Sequence, residues 1–291
     1  MAQDLPTRPK IFGIAMVRLY STNVAAARDF YSKVLHPTGP CLWCEKVPGS
    51  SFPIALNVQQ IVGVSSVPAS QTSNFVGEIA FATEDLPAMK RFLSSKNVAF
   101  SAPKGTSEGP LTLSDPEGHR IAFVKNWQAS AKSVLNDSTS RLIHAGFIVR
   151  DRAATEHFYK NILGFRPYWH GGMKDDQTDW VSMQVSDGTD WLEFMVNVEP
   201  DADQRLRGIM NHIAIGVTDI HATQKKLLEA GVKLPEEPQI GRDGKWQLNL
   251  YDPDFTRIEF MEFTPVQKPC CSEFTGPHPG PQPPSKAPVK P

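Results

Sequence analysis

One pattern occurs twice in this chain. Residues 10–31 read KIFGIAMVRLYSTNVAAARDFY, and residues 140–159 read SRLIHAGFIVRDRAATEHFY. Each copy runs from a β-like apolar stretch through a polar turn into an Ala-rich helical stretch that ends in Phe-Tyr. The Phe-Tyr pairs at residues 30–31 and 158–159 place the copies 128 residues apart. Such a repeat predicts a fold assembled from copies of one strand–helix unit.

A second strand–helix pattern also occurs twice. Residues 78–98 read EIAFATEDLPAMKRFLSSKNV, and residues 212–232 read HIAIGVTDIHATQKKLLEAGV. Each copy passes through an acidic turn into an amphipathic helix. Each is followed by an Asp-Pro turn and a closing strand, SDPEGHRIAF ending at Phe123 and YDPDFTRIEF ending at Phe260. The two patterns together give four β-α-β-type modules.

The four modules pair into two predicted domains. We expect an N-terminal domain over residues 10–127 and a C-terminal domain over residues 141–264. The linker between them, residues 128–140, is rich in Ser, Ala, Asn and Asp. Because each module has a strand, a helix and then several strands, the sequence predicts the α+β class.

The C-terminal segment has a composition unlike the rest of the chain. Nine of the 27 residues 265–291 are proline, and Phe274 is the only aromatic residue among them. Such a segment buries too little apolar surface to offset its ordering entropy, so we expect a disordered or extended Pro-rich tail outside the fold. Its adjacent Cys270 and Cys271 fit exposed thiols better than zinc ligands. Cys41 and Cys44 have redox-motif spacing, but they lie in a Pro/Gly-rich loop.

Charge and composition limit the partners of the chain. Its 30 basic and 31 acidic residues give a formal net charge of −1, whereas nucleic acid and anionic membranes are bound through a basic excess. No apolar run approaches the roughly 18–20 residues of a membrane span. We therefore expect a small-molecule substrate, no nucleic acid, no membrane, and a monomer or homo-oligomer. The polar N-terminus shows no signal-peptide pattern, so the cytoplasm is the default expectation.

Strand alternation in the C-terminal half places four ligand-type side chains on corresponding faces. They are His144, Glu193, His212 and Glu259, each opposite an aliphatic face. The spacing within the two His–Glu pairs is 49 and 47 residues. One such residue alone would usually be structural or solvated, but four at matching places predict a metal site. Two imidazoles and two carboxylates suit one divalent ion such as zinc, nickel, iron, manganese or cobalt.

The N-terminal half lacks this set. Met16 stands where the first histidine is expected, Glu78 replaces the second, and Ala122 replaces the last glutamate. No residue in 52–67 corresponds clearly to Glu193. A single carboxylate cannot hold a metal, so we expect this half to shape or cover the site.

These residues resemble the vicinal oxygen chelate superfamily, which includes glyoxalase I, bleomycin-resistance proteins, methylmalonyl-CoA epimerase and extradiol dioxygenases. The resemblance covers about residues 10–264 and is strongest in LIHAGFIV, FYKNILGF, WLEFMVN, HIAIGV and YDPDFTRIEF. It implies paired βαβββ modules whose sheets form a U-shaped metal cleft. Because this fold supports many chemistries, the site must decide the function.

The four-residue pattern resembles bacterial glyoxalase I, and Asn197 stands where that family has a substrate-binding asparagine. The resemblance implies a metal that binds both oxygens of a hydroxycarbonyl group and stabilises a developing enediolate. Glu259 would then be the proton-transfer base and Glu193 a ligand or second base. The arginine with which that family contacts glutathione is replaced here by Ile148, so glutathione dependence is not implied.

Two alternatives stay open. Four modules with a metal site only in the second pair resemble type I extradiol dioxygenases, which bind iron or manganese through residues matching His144, His212 and Glu259. The histidine and tyrosine that those enzymes carry before the last ligand do not appear at matching spacing. A third possibility is a non-catalytic protein of the bleomycin-resistance type that binds a small molecule.

Several aromatic and polar residues are candidates for contact with substrate. Trp191 and Met195 share the strand face of Glu193, and Asn249 and Tyr251 begin the closing strand. Further aromatic residues of this half could line the pocket or the core, and these are Trp169, Trp180, Trp246 and Phe255.

Overall fold

The computed structural model describes residues 6–35, 52–56, 60–68, 75–105, 109–125 and 140–281. Two β-sheets with few helices make up this part of the chain, so the predicted α+β class is confirmed. Most of the predicted linker, together with Cys41 and Cys44, lies outside the described residues. Within the described ranges, no helix is both long and apolar enough to cross a membrane.

The first sheet takes all its strands from the N-terminal half. In chain order the elements are β1 (Ile11–Ser21), α1 (Val24–Val34), β2 (Phe52–Ala55), β3 (Ile61–Ser66), β4 (Val76–Thr83), α2 (Leu86–Ser95), β5 (Leu111–Ser114) and β6 (Arg120–Lys125). The strand order is β2-β3-β1-β4-β6-β5. β1 and β4, the first strands of the two modules, are antiparallel at the centre.

The second sheet takes all its strands from the C-terminal half. Its elements are β7 (Arg141–Ile148), α3 (Arg152–Glu156) with a π-helical continuation (His157–Ile162), β8 (Arg166–Gly171), β9 (Trp180–Gln184), β10 (Trp191–Met195), α4 (Gln204–Met210), β11 (His212–Val217), α5 (Ile220–Glu229), β12 (Gln239–Ile240), β13 (Trp246–Tyr251) and β14 (Arg257–Glu262). The strand order is β12-β13-β14-β11-β7-β10-β9-β8. β7 and β11 are antiparallel at the centre, with β10 and β14 parallel beside them.

The polar turn in each repeated unit starts a helix. Asn23, Asp85, Asp151 and Asp219 each precede a helix and accept a hydrogen bond from the backbone N–H three residues on. A side-chain oxygen at this N-cap position satisfies one of the free amides of the first turn. The repeated turn chemistry therefore explains why all four modules pass from strand to helix at the same point.

One strand departs from the regular alternation that the sequence predicts. In β7 the register against β11 shifts between His144 and Leu142, so Ile143 has no direct partner. Leu142 consequently packs into the main core, while Ile143 packs with Trp191 on the opposite face. A β-bulge of this kind moves side chains to the other face without breaking the strand. His144 and Gly146 keep the face that alternation assigned to them.

The repeated motifs of one half contact those of the other. Tyr31, at the end of the first repeat, donates its hydroxyl to Asp252 (2.9 Å), and Tyr159 donates to Asp115 (3.0 Å). Both aspartates belong to the Asp-Pro turns before the closing strands. Phe81 of β4 also meets Phe165 edge-on at a centroid distance of 5.3 Å. The two halves therefore pack through matching pairs of contacts.

Residues 265–281 of the Pro-rich segment, here called the strap, are extended, which is one of the two predicted states, but they do not lie outside the fold. The strap forms no helix or strand, but it lies extended along the C-terminal sheet. Thr275 donates its backbone N–H to the carbonyl of Tyr168, and Gln184 donates to the carbonyl of Pro277, both at 2.9 Å. Hydrogen bonds of its backbone groups thus give the strap partners that its composition did not reveal. Residues 282–291 lie outside the described residues.

The two cysteines of the strap also differ from the expectation of exposed thiols. Cys270 and Cys271 form a disulfide with each other. The backbone of Cys270 is held on both sides, because its N–H donates to the backbone carbonyl of Arg242 (2.8 Å) and its carbonyl accepts from the Trp169 indole (3.2 Å).

Candidate metal centre

The strand register brings the four predicted ligands around Gly146. Gly146 of β7 lies opposite Glu193 on β10 and opposite His212 on β11. His144 lies two residues earlier on the same strand, and Glu259 of β14 pairs with the strand that carries His212. The four side chains therefore come from four adjacent strands at the centre of one sheet.

Gly146 is at this position because there is no room for a side chain. A Cβ built there would lie 1.9 Å from Cε1 of His212, well inside van der Waals contact. A glycine follows His144 on the same strand face because the imidazole of His212, on the neighbouring strand, occupies the space that a side chain at position 146 would need.

The ligand atoms of these residues converge. Nε2 of His144 lies 3.0 Å from Nε2 of His212, and the latter lies 3.2 Å from a carboxylate oxygen of Glu193. Glu259 lies 3.5 Å from Nε2 of His144. Both histidines are fully buried and Glu259 is 3% exposed, so the cluster sits inside the protein rather than on a solvated face.

Local charges set the protonation of the cluster. Burial, assisted by the charge of Arg257, lowers the pKa of His212 to about 4. Burial alone would raise the pKa of Glu259, but Arg257 and the hydrogen bond with His144 hold it at about 2. Burial is likewise outweighed at Glu193, where the hydrogen bond with His212 lowers the pKa. At neutral pH the cluster presents two carboxylates and a neutral His212, the forms that bind a metal.

The spacing and chemistry of the cluster fit a divalent ion. Two ligand atoms at about 2.1 Å from one ion are about 3 Å apart at the right angle of octahedral coordination and about 3.4 Å apart at the tetrahedral angle, and the 3.0 Å separation of the two Nε2 atoms is near this range. Ligand atoms of His144, Glu193 and His212 all lie within 4.8 Å of one another. Imidazole nitrogens and carboxylate oxygens together suit zinc and the transition metals near it.

The corresponding place in the N-terminal half is filled. Met16 and Ala122 lie in an apolar cluster, and Gly63 takes the register position of Glu193, because it pairs with Arg18 of β1. Arg18 stands where β7 has Gly146, and its Nε donates to Glu78 at 2.9 Å. Within the described residues, this half therefore replaces the ligand set with an internal ion pair.

A cavity of about 410 Å³ opens beside the cluster. Both carboxylates, Glu193 and Glu259, are exposed to it, together with Ser182 and Arg257. Its aromatic lining consists of Tyr168, Trp169, Trp180, Trp191 and the strap residue Phe274. This volume is within the range of small-molecule sites, which are mainly apolar with a few convergent polar groups.

Two of the predicted substrate contacts line this cavity. Trp191 lies against the imidazole of His144, with ring centroids 4.6 Å apart. Asn249 pairs with Glu259 in the register of β13 and β14. Its amide nitrogen donates to Glu236 (2.7 Å), and its buried oxygen has no hydrogen-bond partner among the described residues. Trp169 and Trp180 line the cavity as well.

The other predicted contacts lie elsewhere. Asn197 is exposed beyond the end of β10 and donates to the carbonyl of Thr178 (2.9 Å). Met195 is buried and Tyr251 is half-buried, and neither lines the cavity. Asn197 lies past the end of β10, where it adopts a φ of 60°.

Three cavity or near-cavity residues were missed by sequence reasoning. Arg257 lies two residues before Glu259 on the same face, so alternation could have found it. Ser182 pairs with Glu193 in register and lies 3.4 Å from its carboxylate, which only the strand order reveals. Lys245 is fully buried, and no sequence signal distinguishes it from a solvated lysine at a strand start.

Comparisons with known proteins agree with this arrangement. The family model for the Glyoxalase/Bleomycin resistance protein/Dioxygenase superfamily matches residues 141–260. A search of curated proteins found no match. Among solved structures, a catechol 2,3-dioxygenase is similar with a TM-score of 0.61 at 15% identity, covering 93% of this chain and 95% of its own.

Two further solved structures show the same similarity. A homoprotocatechuate 2,3-dioxygenase from Arthrobacter globiformis has a TM-score of 0.60 at 18% identity, covering 89% of this chain and 82% of its own. A 2,2',3-trihydroxybiphenyl 1,2-dioxygenase from Sphingomonas wittichii strain RW1 has a TM-score of 0.60 at 10% identity, covering 88% and 91%. Likeness at these identities establishes the shared fold. The match to the glyoxalase/bleomycin resistance protein/dioxygenase superfamily model thus lies in the C-terminal half of the chain, the half that carries the four-residue cluster.

Proposed function

We propose that this chain is a metal-dependent enzyme of the glyoxalase or isomerase type. Its substrate would bind one divalent ion through two adjacent oxygens, and a carboxylate of the site would move a proton on that substrate. The observation that carries this proposal is the position of Glu193, whose carboxylate lies 3.2 Å from Nε2 of His212 inside the ligand cluster. A fourth ligand at this place matches the glyoxalase pattern rather than a three-ligand site.

The side chains of the site have distinct roles in this proposal. His144 and His212 would hold the ion, which when bound would polarise two adjacent substrate oxygens as a Lewis acid. Glu259, anionic at neutral pH, would take the proton from the carbon beside those oxygens and return it to the neighbouring carbon. Glu193 would serve as ligand or second base.

Two neighbouring residues support this chemistry. The guanidinium of Arg257 lies 3.9 Å from Glu259 and favours its anionic form. The unpartnered oxygen of Asn249 can accept a hydrogen bond from a substrate hydroxyl.

Metal content tests the site. We expect one equivalent of metal in the purified protein and loss of stoichiometric metal in His212→Ala and Glu259→Ala, measured by plasma mass spectrometry. His221→Ala is the matched control, because His221 is exposed on α5. Full metal content in both site variants would sink the assignment.

A pair of assays tests the reaction type. Hemithioacetals of 2-oxoaldehydes are offered without oxygen, and catechols are offered with iron(II) and oxygen. Isomerisation of the first class supports the proposal, whereas oxygen consumption with a catechol overturns it.

The second candidate function is ring cleavage by a dioxygenase. It is favoured by the likeness of the whole chain, and not only its C-terminal half, to a catechol 2,3-dioxygenase. In that case His144, His212 and Glu259 suffice as ligands, and Glu193→Gln should keep its metal. In the four-ligand proposal the same variant loses affinity. The third possibility, non-catalytic binding, predicts that the metal-stripped protein still binds its ligand.

A further inference from the structure

We propose that the strap forms a substrate-contacting wall of the metal cavity, with Phe274 as its specificity-determining residue and Lys245 as the positioning residue that holds it. This inference rests on the proposed function in one respect, namely that the cavity beside Glu193 and Glu259 is the substrate site. The ligand that the strap would contact carries an apolar planar group next to its two adjacent oxygens.

The strap joins the two edges of the C-terminal sheet. β12 and β8 are the edge strands, and residues of both line the cavity. Near one edge, Val266 donates its backbone N–H to the carbonyl of Gly244, which lies between β12 and β13 (2.8 Å). At the other edge, Ser272 donates to the carbonyl of His170 (3.0 Å), and Thr275 donates to the carbonyl of Tyr168 (2.9 Å). A segment bonded at both edges lies across the opening between them.

Phe274 is the strap residue that reaches the cavity. It shares the lining with both carboxylates of the cluster. Its ring lies 4.9 Å from that of Tyr168 and 6.4 Å from that of Trp169, by centroids. The neighbours Glu273 and Thr275 do not line this cavity but a second cavity of about 260 Å³. Among the described strap residues Phe274 is thus the one that lines the metal cavity, and its size limits the space available to a ligand.

Lys245 holds this ring in place. The lysine is fully buried, and its ammonium has no hydrogen-bond partner among the described residues. Three aromatic rings surround it instead, at 4.6 Å (Trp191), 5.1 Å (Phe274) and 5.6 Å (Tyr168). A buried ammonium is costly without compensation. The charges of Asp243, Glu259 and Glu193 favour it, and cation–π contact with the ring faces adds to this stabilisation.

The same arrangement couples the strap to the metal centre. Trp191 contacts Lys245 on one side and the imidazole of His144 on the other, each at 4.6 Å. Lys245, Trp191 and Phe274 come from three separate segments of the chain. Loss of the ammonium should therefore loosen Phe274.

The first test needs no ligand and no metal. Acrylamide quenching of tryptophan fluorescence is measured in the full-length wild type, Phe274→Ala and Lys245→Met. We expect stronger quenching in both variants, because Trp169 and Trp191, 6% and 2% exposed, become accessible. Lys245→Arg keeps the cation and should restore wild-type quenching.

The matched control is Phe255→Ala. Phe255 also lies beneath a cation, since Arg205 is 5.8 Å from its ring centroid, but it is 41% exposed and outside the cavity. Unchanged quenching in Phe274→Ala would overturn the proposed wall. If that variant fails to fold, Phe274→Leu, which keeps apolar bulk but lacks the ring, replaces it.

The second test measures selectivity with zinc-loaded protein, in which catechols bind without turnover. Isothermal titration compares catechol with 3-phenylcatechol. Phe274→Ala should strengthen binding of the larger ligand relative to the smaller by about tenfold, the order expected for opening a pocket. An equal change for both ligands would overturn the role in specificity. If neither catechol binds the zinc-loaded wild type, the proposed role of Phe274 in specificity is overturned, whereas the quenching experiment still decides the position of the strap and the hemithioacetal assay still decides the proposed function.

Discussion

At the residue scale, the candidate centre depends on the missing side chain of Gly146 as much as on its four candidate ligands. Alternation along β7, β10, β11 and β14 was enough to place His144, Glu193, His212 and Glu259 on one face, because each strand has one buried aliphatic face. Lys245 could not be predicted in this way, since a lysine beside a glycine-containing turn is usually solvated. Its burial results from rings contributed by β8, β10 and the strap, which only tertiary packing brings together.

Gly146→Ala should disrupt the centre without removing a ligand. The new Cβ would lie 1.9 Å from the His212 ring, so the imidazole must move away from His144. We expect metal affinity to fall at least tenfold, measured by competition with a chromophoric chelator. Gly280→Ala is the control, because a Cβ there has no atom within 4 Å. Wild-type affinity in Gly146→Ala would contradict the geometry.

At the element scale, the Phe-Tyr and Asp-Pro motifs were visible in the sequence, but their meeting was not. Each tyrosine donates to an aspartate in the opposite half of the chain, a pairing that no local pattern specifies. The bulge at Ile143 was hidden for the same reason, because it reflects the fit between β7 and β11. Helix starts were predictable, since an N-cap side chain acts within its own turn.

Removing either tyrosine hydroxyl should destabilise the protein. Tyr31 and Tyr159 are fully buried, so Tyr31→Phe or Tyr159→Phe leaves a buried carboxylate oxygen short of a donor. We expect a loss of about 1–3 kcal/mol in the free energy of unfolding, measured by urea denaturation. Tyr251→Phe, at a half-buried tyrosine, should change it far less. Similar losses in all three variants would contradict the assigned contacts.

Asp252 should make stability depend on pH. Burial raises its pKa to about 7, although the hydrogen bond from Tyr31 opposes the rise. Between pH 4 and 7 the folded state therefore binds more protons than the unfolded chain, whose aspartate has a pKa near 3.9. The stabilising contribution is complete below about pH 4 and is lost as the pH rises through 7.

Asp252→Asn checks this sign. The variant cannot ionise, so its melting temperature should rise relative to that of the wild type as the pH increases from 5 to 8. Asp201→Asn, at an exposed aspartate, should follow the wild type. A difference between Asp252→Asn and wild type that stays constant with pH would refute the assignment.

At the scale of the whole molecule, one buried ion pair connects both halves and the strap. Arg141 lies 2.6 Å from Asp190 and donates to the carbonyl of Gly280 (2.8 Å), while Asp190 accepts from the backbone N–H of Ile14 (2.9 Å). The repeat predicted two similar halves, and composition predicted a tail outside them. Composition carries no information on backbone hydrogen bonds such as the one that the carbonyl of Gly280 accepts, so it could not predict that the strap packs against the sheet.

Asp190→Asn should therefore destabilise the whole molecule. Removing one partner of a buried ion pair leaves an unpaired charge and costs about 3–5 kcal/mol. Asp175→Asn breaks an exposed pair with Arg242, whose aspartate is 85% exposed, and should cost at most about 1 kcal/mol. Urea unfolding measures both variants, and equal losses would refute the bridging role.

The filled cleft of the N-terminal half has an evolutionary consequence. Arg18 stands in the N-terminal half at the position that corresponds to Gly146, and its side chain fills the equivalent space. In its ion pair with Glu78 both side chains are only 7% exposed. Restoring a metal site there would require removing that arginine and also placing ligands at Met16, Gly63 and Ala122. No single substitution along that route gains a working site, and the first removes one of the two arginine partners of the buried Glu78 carboxylate. Single substitutions therefore do not restore a ligand set in the N-terminal half, and the difference between the two halves is not reversed by point mutation.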